Sequence, residues 1–248
     1  MVDASLLIIG DEILSGRTQD KNTAYIAAWL NEAGIQLAEV RVVRDIEADI
    51  VKAVNSLRTR FDYVFTTGGI GPTHDDITAE SVAGAFDLPL TTHPEAYRLL
   101  TEYYGVEDFT EARQRMSKTP EGAELIDNPV SIAPGFQIEN VFVMAGVPKI
   151  MQAMLEGLRP RLRGGEKIWS QALTIHAPES KMARKLGEIQ DDINGVSLGS
   201  YPFFRDGKIG TQIVVRSADK ALIDEAMARL VEFCTDECHS HEDRGEVQ

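Results

Sequence analysis

The sequence predicts a three-layer α/β/α domain with a mostly parallel sheet, followed by a small α+β domain. Over the first part of the chain, apolar strand patterns and amphipathic helix patterns alternate at short spacing. This order produces parallel βαβ units with helices on both faces of one sheet. After the linker-like sequence Arg163-Gly164-Gly165-Glu166, the order changes to strand, helix, two strands and helix. We therefore expect an α/β domain at residues 1–163 and an α+β domain at residues 166–236.

In the first domain, strands and helices follow one another with few interruptions. The apolar run from Ser5 to Ile9 is the first strand, and Gly10-Asp11-Glu12 ends it. Asp45 stands where it can cap the second helix. The further predicted elements are a helix from about 23 to 34, a strand at 36–43, a helix carrying Ile50, Ala53, Val54 and Leu57, a strand at 63–65, a helical region from 94 to about 116, a strand at 141–144 and a helix from about 149 to 162.

The second domain has the same clear periodicity. Its predicted elements are a strand at 169–175, a helix at 179–193, strands at 197–204 and 208–215, and a helix at 220–234. Asp206-Gly207 between the two central strands is a hairpin-turn signal. The acidic segment at residues 237–248 has too few apolar residues to build a core, so we expect it to be disordered.

Composition narrows the classes of partner. The 248 residues carry a formal net charge of −14, which argues against nucleic acid as the main partner because that affinity comes from clustered Lys and Arg. The apolar start, Leu6-Leu7-Ile8-Ile9, is too short for a signal peptide or a membrane span, so we expect a cytoplasmic protein without a membrane partner. The cysteines, Cys234 and Cys238, read as ordinary residues at the end of the last helix.

The segment Gly68-Gly69-Ile70-Gly71-Pro72-Thr73-His74-Asp75-Asp76-Ile77-Thr78 is the main candidate for a functional site. It joins the end of an apolar strand to a helix, and its glycines allow positive φ and close approach of a ligand. Free amides and a helix N-terminus at such a place form an anion-binding site. Asp75 and Asp76 would repel a phosphate, so they either cap the helix or hold a divalent cation.

Two common nucleotide motifs do not fit this segment. A P-loop ends in Gly-Lys-Ser/Thr, and no lysine occurs here. A dinucleotide fingerprint needs a glycine three residues after Gly71, where His74 stands. Because the carboxyl ends of parallel strands share one edge of the sheet, Gly10-Asp11-Glu12 and the segment from Gly68 to Asp76 are expected to face one site.

These residues resemble the molybdopterin-binding (MoaB/Mog-like) domain family, in which a Gly-Gly-x-Gly turn precedes Asp-x-Thr. The segment from Gly68 to Thr78 is similar to the N-terminal branch of competence/damage-inducible protein A (CinA) and to the molybdopterin-binding-like domain of eukaryotic FAD synthases. The resemblance implies a KH-like fold for residues 166–236. The other matching segments are Gly10-Asp11-Glu12-Ile13-Leu14-Ser15-Gly16, Asn22, Asn128-Pro129 with Ala133-Pro134-Gly135, and Ala145-Gly146-Val147-Pro148, in which Ala145 replaces the family's proline.

The resemblance implies three alternative functions. The first is a metal-dependent pyrophosphatase for nucleotide diphosphates such as ADP-ribose or FAD. The second is molybdopterin binding or adenylylation, and the third is a nucleotide-binding module without turnover. The implied partners are a nucleotide diphosphate or a pterin, and further copies of the chain in a homodimer or homotrimer.

The pyrophosphatase hypothesis assigns a role to each candidate residue, with His74 as general base, phosphate partner or an ordinary turn residue. The expected cofactor is a divalent metal (Mg, Mn or Co), with potassium as a further candidate. The predicted catalytic residues are Asp76, Asp75, Asp11 and His74. The predicted metal ligands are Asp76, Asp75, Asp11 and Glu12. The predicted ligand-binding residues are Gly68, Gly69, Ile70, Gly71, Thr73, Thr78, Gly10, Asn22, Gly135 and Gly146.

Overall fold

A computed structural model of the chain describes residues 2–205, 207–237 and 239–246. Asp206 of the predicted hairpin turn and Cys238 lie outside the described residues. The chain forms two compact units that divide between Gly165 and Glu166.

The first unit contains eight strands and seven α-helices among its described residues. The strands are β1 (Val2–Ile9), β2 (Ile35–Val43), β3 (Tyr63–Thr67), β4 (Leu90–Thr92), β5 (Lys118–Pro120), β6 (Glu124–Ile126), β7 (Gly135–Ile138) and β8 (Val141–Met144). The helices are α1 (Asp11–Leu14), α2 (Asn22–Glu32), α3 (Glu47–Arg58), α4 (Thr78–Ala85), α5 (Pro94–Tyr104), α6 (Glu111–Gln114) and α7 (Pro148–Gly157).

The central sheet of this unit has six strands in the order β2-β1-β3-β8-β7-β6. Strand β1 is parallel to β2 and β3, and β3 is parallel to β8. Strand β7 is antiparallel to both β8 and β6, so the sheet is mostly parallel with a short hairpin at one edge. Strands β4 and β5 form a separate two-stranded sheet.

Apolar residues of β1 point alternately to both faces of the sheet. Leu6 and Ile8 join a buried cluster that includes residues of α2 and α7. Leu7 and Ile9 join a second buried cluster that includes residues of α3 and α4. A strand buried on both faces is the arrangement of a parallel sheet covered by helices. The predicted three-layer α/β/α fold is confirmed.

The second unit is a four-stranded antiparallel sheet with two helices. Its elements are β9 (Trp169–Ile175), α8 (Ala183–Asp192), β10 (Ser197–Arg205), β11 (Lys208–Ser217), α9 (Lys220–Asp236) and β12 (His241–Glu246), with strand order β10-β11-β9-β12. Leu173 and Ile213 of the sheet pack with Ile189 of α8 and Met227 of α9. The predicted α+β fold is confirmed, and the buried Cys234 is one of its core residues.

The structure differs from the sequence predictions at several places, three of which concern the ends of elements and the last strand. His241–Glu246, expected to be disordered, forms β12 because its backbone pairs with the edge of β9 whatever its charge. The helical region from 94 to 116 is broken at Gly105, whose φ of +77° ends α5. Asp45 does not cap α3, since the N-cap residue is Ile46 and no side-chain cap bond forms.

Candidate functional site

A cleft of about 500 Å³ lies at the carboxyl ends of β1, β3 and β8. The loops after these strands and the segment 128–133 supply most of its lining. The lining residues are Glu12, Thr18, Gly68, Gly69, Ile70, Gly71, Pro72, Asp76, Tyr104, Met116, Asn128, Ser131, Ala133, Ala145, Gly146, Val147, Pro148 and Ile150. Of the segment Gly10-Asp11-Glu12, which was expected to share a site with the glycine turn, Glu12 lines the cleft with that turn.

The glycine turn after β3 is held by close backbone packing. Gly68 has φ +105°, and a Cβ there would lie 2.1 Å from the Ile9 carbonyl oxygen. Gly69 has φ +66°, and a Cβ there would lie 2.2 Å from Thr78 Oγ1. Both positions therefore require glycine for conformation and for space.

Thr78, the first residue of α4, forms two hydrogen bonds with the backbone of the glycine turn. Its buried hydroxyl donates to the Gly68 carbonyl oxygen at 2.9 Å, and its backbone N–H donates to the Gly69 carbonyl oxygen at 3.0 Å. Thr78, predicted to bind ligand, does not line the cleft, so its observed contacts are with the backbone of the turn.

The turn leaves backbone donors beside the cleft. The Gly68 N–H donates to the Met144 carbonyl oxygen at 3.2 Å. Among the described residues, no hydrogen-bond acceptor is recorded for the backbone N–H groups of Gly69, Ile70 and Gly71. Helix α7 begins at Pro148 on the same cleft, so its positive dipole end adds to these donors. The cleft is therefore suited to an anion.

Asp76 shapes the loop between the turn and α4. Its Oδ2 accepts a 2.8 Å bond from the Thr73 N–H and a second bond from the Thr73 hydroxyl. Helix α4 has Ile77 as N-cap and no side-chain cap bond, so the alternative in which an aspartate caps this helix is wrong. Asp76 closes the preceding turn instead, while it also lines the cleft.

Asp75 and His74 lie on the exposed side of this loop. His74 is 97% exposed, and its Nδ1 lies 4.0 Å from Asp75 Oδ1. The Thr73 side chain, and to a lesser extent His74, hold the pKa of the Asp75 carboxyl below its ordinary value. Asp75 and His74 do not line the 500 Å³ cleft. His74 lines a neighbouring cleft of about 770 Å³, which Asp76 also borders.

The loop after β1 carries a group of carboxylates. Its start is fixed by the Gly10 N–H, which donates to the Val43 carbonyl oxygen at 3.2 Å. The Asp11 N–H donates to Asp45 Oδ2 at 2.8 Å. Glu12 lines the cleft and Asp11 does not. Burial first, and then Asp11, Glu12 and Asp75, raise the pKa of the Asp45 carboxyl above its ordinary value of 3.8.

Asp45 is the site-adjacent residue that sequence reasoning assigned to another role. It follows β2, whose carboxyl end neighbours that of β1. Ligands bind at the carboxyl ends of parallel strands, so its position after β2 could have placed it near the site. The sequence interpretation assigned Asp45 to the N-cap of the following helix instead.

Asn22, the first residue of α2, holds the loop after β8, and this loop packs against the glycine turn. Asn22 Nδ2 donates to the Gly146 carbonyl oxygen at 2.8 Å, and the residue is only 7% exposed. Among the described residues, its buried Oδ1 has no hydrogen-bond partner. At Gly146, a Cβ would lie 3.2 Å from the Gly68 Cα, so the two loops are in close contact.

Gly135, also predicted to bind ligand, has a packing explanation. It is buried in β7, and a Cβ there would lie 2.2 Å from the Val143 carbonyl oxygen and 2.5 Å from Met154 Cε. It does not line the cleft. The glycine allows β7 to approach β8.

The protein alone does not form a complete metal site in the part of the chain that the structure describes. Within those residues, no group of three or more His, Cys, Asp or Glu side chains could hold a metal ion. Glu12 and Asp76 are the predicted metal ligands that line the cleft.

Comparisons with known proteins identify the family. Residues 5–164, more than half of the chain, match the probable molybdopterin binding domain. The chain belongs to this molybdopterin-binding domain family. Residues 167–243 match the middle domain of FAD synthase.

Relatives place this family member in the CinA-like branch. A protein from Archaeoglobus fulgidus is 34% identical over 231 residues, which are 93% of this chain and 97% of the relative. A CinA-like protein from Desulfosudis oleivorans is 36% identical over 211 residues, which are 79% of this chain and 51% of the relative. The chain thus spans about half the length of that CinA-like relative.

A solved structure supports the same assignment. The crystal structure of the protein CinA from Thermoplasma acidophilum, described as of unknown function, matches with a TM-score of 0.61 and 35% identity. It covers 64% of this chain and 96% of that chain. Among the described residues, no helix of this molybdopterin-binding domain protein is long and apolar enough to cross a membrane.

Proposed function

We propose that this CinA-like protein is a metal-dependent hydrolase of a nucleotide diphosphate, of the ADP-ribose or FAD pyrophosphatase type. The observation that carries the proposal is the composition of one cleft. The cleft is lined by the carboxylate residues Glu12 and Asp76 and by Gly69, Ile70 and Gly71, whose backbone N–H groups have no hydrogen-bond acceptor among the described residues. Donors suit the phosphate oxygens, and carboxylates suit the cation that must accompany them.

The carboxylates fit a metal that arrives with the substrate. Mg²⁺ is commonly held by one or two protein carboxylates together with substrate phosphates, whereas a closed protein cage would need more ligands. Glu12 and Asp76 would hold it, and Mn²⁺ or Co²⁺ could occupy the same position. When bound, the metal neutralises phosphate charge and lowers the pKa of its water.

The chain's own groups bind and orient the substrate. The amides of the glycine turn and the N-terminus of α7 hold the diphosphate. Asn22 holds the Gly146 loop through its hydrogen bond, and that loop packs against Gly68 of the turn. Asp11, Asp75 and His74 do not line the cleft, so their catalytic roles stay predictions, as does potassium.

Molybdopterin binding or adenylylation is the second candidate, favoured by the family match. Apolar side chains of Ile70, Met116, Val147 and Ile150 line the cleft and would contact a flat ring system. A pterin and the base of a nucleotide both offer such a ring. The third candidate, a module that binds nucleotide without turnover, has the same binding requirements.

The experiment that separates these functions is a substrate and metal screen of the purified protein. ADP-ribose, FAD and NADH would each be tested with Mg²⁺, Mn²⁺ and Co²⁺, and pterin binding would be measured by fluorescence. We expect hydrolysis of a diphosphate that EDTA abolishes and a divalent ion restores. Full activity after exhaustive chelation would exclude the metal role. Tight pterin binding without diphosphate turnover would favour the second candidate.

The Asp76→Asn variant tests whether Asp76 holds the metal or only closes its turn. The asparagine carbonyl can still accept the bond from the Thr73 N–H, so we expect nearly unchanged thermal stability. Loss of the charge should lower kcat by about a hundredfold or more if the carboxylate binds the cation. Thr73→Val is the matched control, because it removes the hydroxyl donor and leaves the Asp76 charge. Wild-type turnover of Asp76→Asn would leave Asp76 with a structural role alone.

A further inference from the structure

The outward face of the sheet in the second unit carries a pocket of about 270 Å³. Leu173, Ile175 and Ile213 point into the core of this unit. Side chains alternate along a strand, so Thr174 and Gln212, which are opposite each other in the β9–β11 ladder, lie on the other face. The lining of the pocket includes Thr174, Phe203, Arg205, Lys208, Gln212 and Arg244.

The pocket concentrates positive charge on an acidic protein. Arg205, Lys208 and Arg244 line it, and among the described residues Glu242 is the one carboxylate in the lining, while the whole chain has a net charge of −14. Counting Asp206, which lies next in sequence to Arg205 and outside the described residues, the cations still outnumber the carboxylates. Excess cations that converge on a concave surface favour a negatively charged ligand.

The cations differ in their existing partners. Arg244 Nε donates to Thr174 Oγ1 at 3.1 Å, and this bond holds the guanidinium against the sheet. Glu242 is shared at long range between Arg244 and His176, at 3.8 Å from each. Within the described residues, no carboxylate lies within ion-pair distance of Arg205 or Lys208. These two cations are therefore available to an anion.

An aromatic ring flanks the same pocket. The end of the Phe203 ring fills the space above Gly210, where a Cβ would lie 2.3 Å from Cζ. The guanidinium of Arg205 lies 5.3 Å from the ring centroid. Glycine at position 210 thus lets the ring lie close to the sheet beside the basic groups. An aromatic ring beside cations is the combination that binds a nucleobase and its phosphate.

We propose that this pocket binds a nucleoside monophosphate. Arg205, Lys208 and Arg244 contact the phosphate, Phe203 contacts the base, and Thr174 and Gln212 offer hydrogen bonds. The volume suits one nucleotide rather than an extended strand, which would occupy several nucleotide lengths of surface. The inference stands without the proposed hydrolase activity, because every residue that carries it belongs to the second unit.

The test is AMP binding to the full-length protein, read by isothermal titration calorimetry and by the amide signals of Gly210 and the Gln212 side chain in NMR. These signals report on the sheet pocket even if the cleft of the first unit also binds AMP. Arg205→Gln with Arg244→Gln should weaken AMP binding about ten- to a hundredfold, since charge-assisted bonds are lost. Phe203→Leu should weaken AMP and leave inorganic phosphate unchanged.

Arg184→Gln is the matched control, because Arg184 is an exposed arginine of the same unit whose ion pair among the described residues is with Glu188 on its own helix. It should bind AMP like the wild type, and circular dichroism should show that all variants are folded. The proposal would be overturned if the double variant bound AMP with the wild-type affinity and AMP shifted its Gly210 and Gln212 signals as in the wild type. It would also be overturned if AMP shifted neither signal in the wild type. Tighter binding of a single-stranded oligonucleotide than of AMP, lost in the same variants, would also overturn it and assign the face to nucleic acid.

Discussion

At the residue scale, Asp45 shows how one hydrogen bond can hold a carboxylate where its charge is unfavourable. The Asp11 N–H donates to it, which favours the charged form. Burial and the carboxylates of Asp11, Glu12 and Asp75 oppose that effect, and their sum raises the pKa of Asp45. The loop therefore carries electrostatic repulsion that a bound cation would relieve.

The Asp45→Asn variant should change the pH dependence of stability. Above the ordinary pKa of 3.8, the unfolded chain has released this proton while the folded protein still holds it. Rising pH through the raised folded pKa therefore lowers the free energy of unfolding of the wild type. Asparagine can accept the Asp11 N–H and has no charge, so this loss should disappear.

Melting temperatures of the two proteins between about pH 4 and pH 7 measure the effect. The variant should gain on the wild type as pH rises, and added salt should narrow the gap by screening the neighbouring carboxylates. Equal pH dependence of the two melting temperatures across this range would show that folding does not raise the pKa of Asp45.

The sequence predicted the loops that line the cleft better than it predicted the contacts of their individual side chains. The sequence located the glycine turn and the loop after the first strand, because both follow from strand order and glycine pattern. It did not reveal that Thr78 donates to Gly68 or that Asp76 accepts from Thr73. Such partners depend on loop geometry, and several acceptors were available to each side chain.

At the element scale, the glycine turn works as a unit with the first turn of α4. Gly69→Ala would place a methyl group 2.2 Å from Thr78 Oγ1 and displace the hydroxyl that holds Gly68. We expect a loss of about 1–2 kcal/mol in stability from the positive φ, and a further loss of ligand affinity from the displaced turn. Chemical denaturation and nucleotide titration measure the two effects separately.

Gly122→Ala is the matched control for this prediction. Gly122 has a comparable φ of +79°, and nothing lies within 4 Å of the position that its Cβ would take. It should lose stability through φ alone and bind nucleotide like the wild type. Equal nucleotide affinity of Gly69→Ala and Gly122→Ala would show that the close packing at Gly69 is not needed for binding.

Short strands were predicted only where they form a continuous apolar run. Strand β8 has four residues and was predicted from the run Val141–Met144, whereas β4 to β7, of three or four residues, show no such run and pair with neighbouring backbone. Strand β12 has the same explanation, since its polar sequence favours no strand by itself. The long apolar strands and amphipathic helices carry their pattern in the sequence.

At the scale of the whole molecule, each unit has its own core. The two clusters that cover the main sheet contain residues up to Leu162, and the third contains residues from Trp169 onward. The cleft is lined within the first unit alone. The predicted homodimer or homotrimer stays a prediction that size-exclusion chromatography with light scattering can test.

The linker residues give a sharper prediction about where the first unit ends. The sequence placed the end at residue 163, but the Gly165 N–H donates to the Gly34 carbonyl oxygen at 2.8 Å, and Gly164 packs against the Ala33 carbonyl oxygen. A fragment of residues 1–165 keeps these contacts, whereas a fragment of residues 1–163 loses them. The longer fragment should be more stable by about 1 kcal/mol, the net contribution of a typical hydrogen bond.

Both fragments retain every residue that lines the cleft, so both should bind the nucleotide with the affinity of the full chain. Denaturant midpoints and calorimetric titration would measure the two properties in the same preparations. Equal midpoints would place the boundary at residue 163, as the sequence alone indicated. A folded fragment of residues 1–165 that cannot bind the nucleotide diphosphate would show that binding by the full chain needs the second unit, and the assignment of diphosphate binding to the cleft would be wrong.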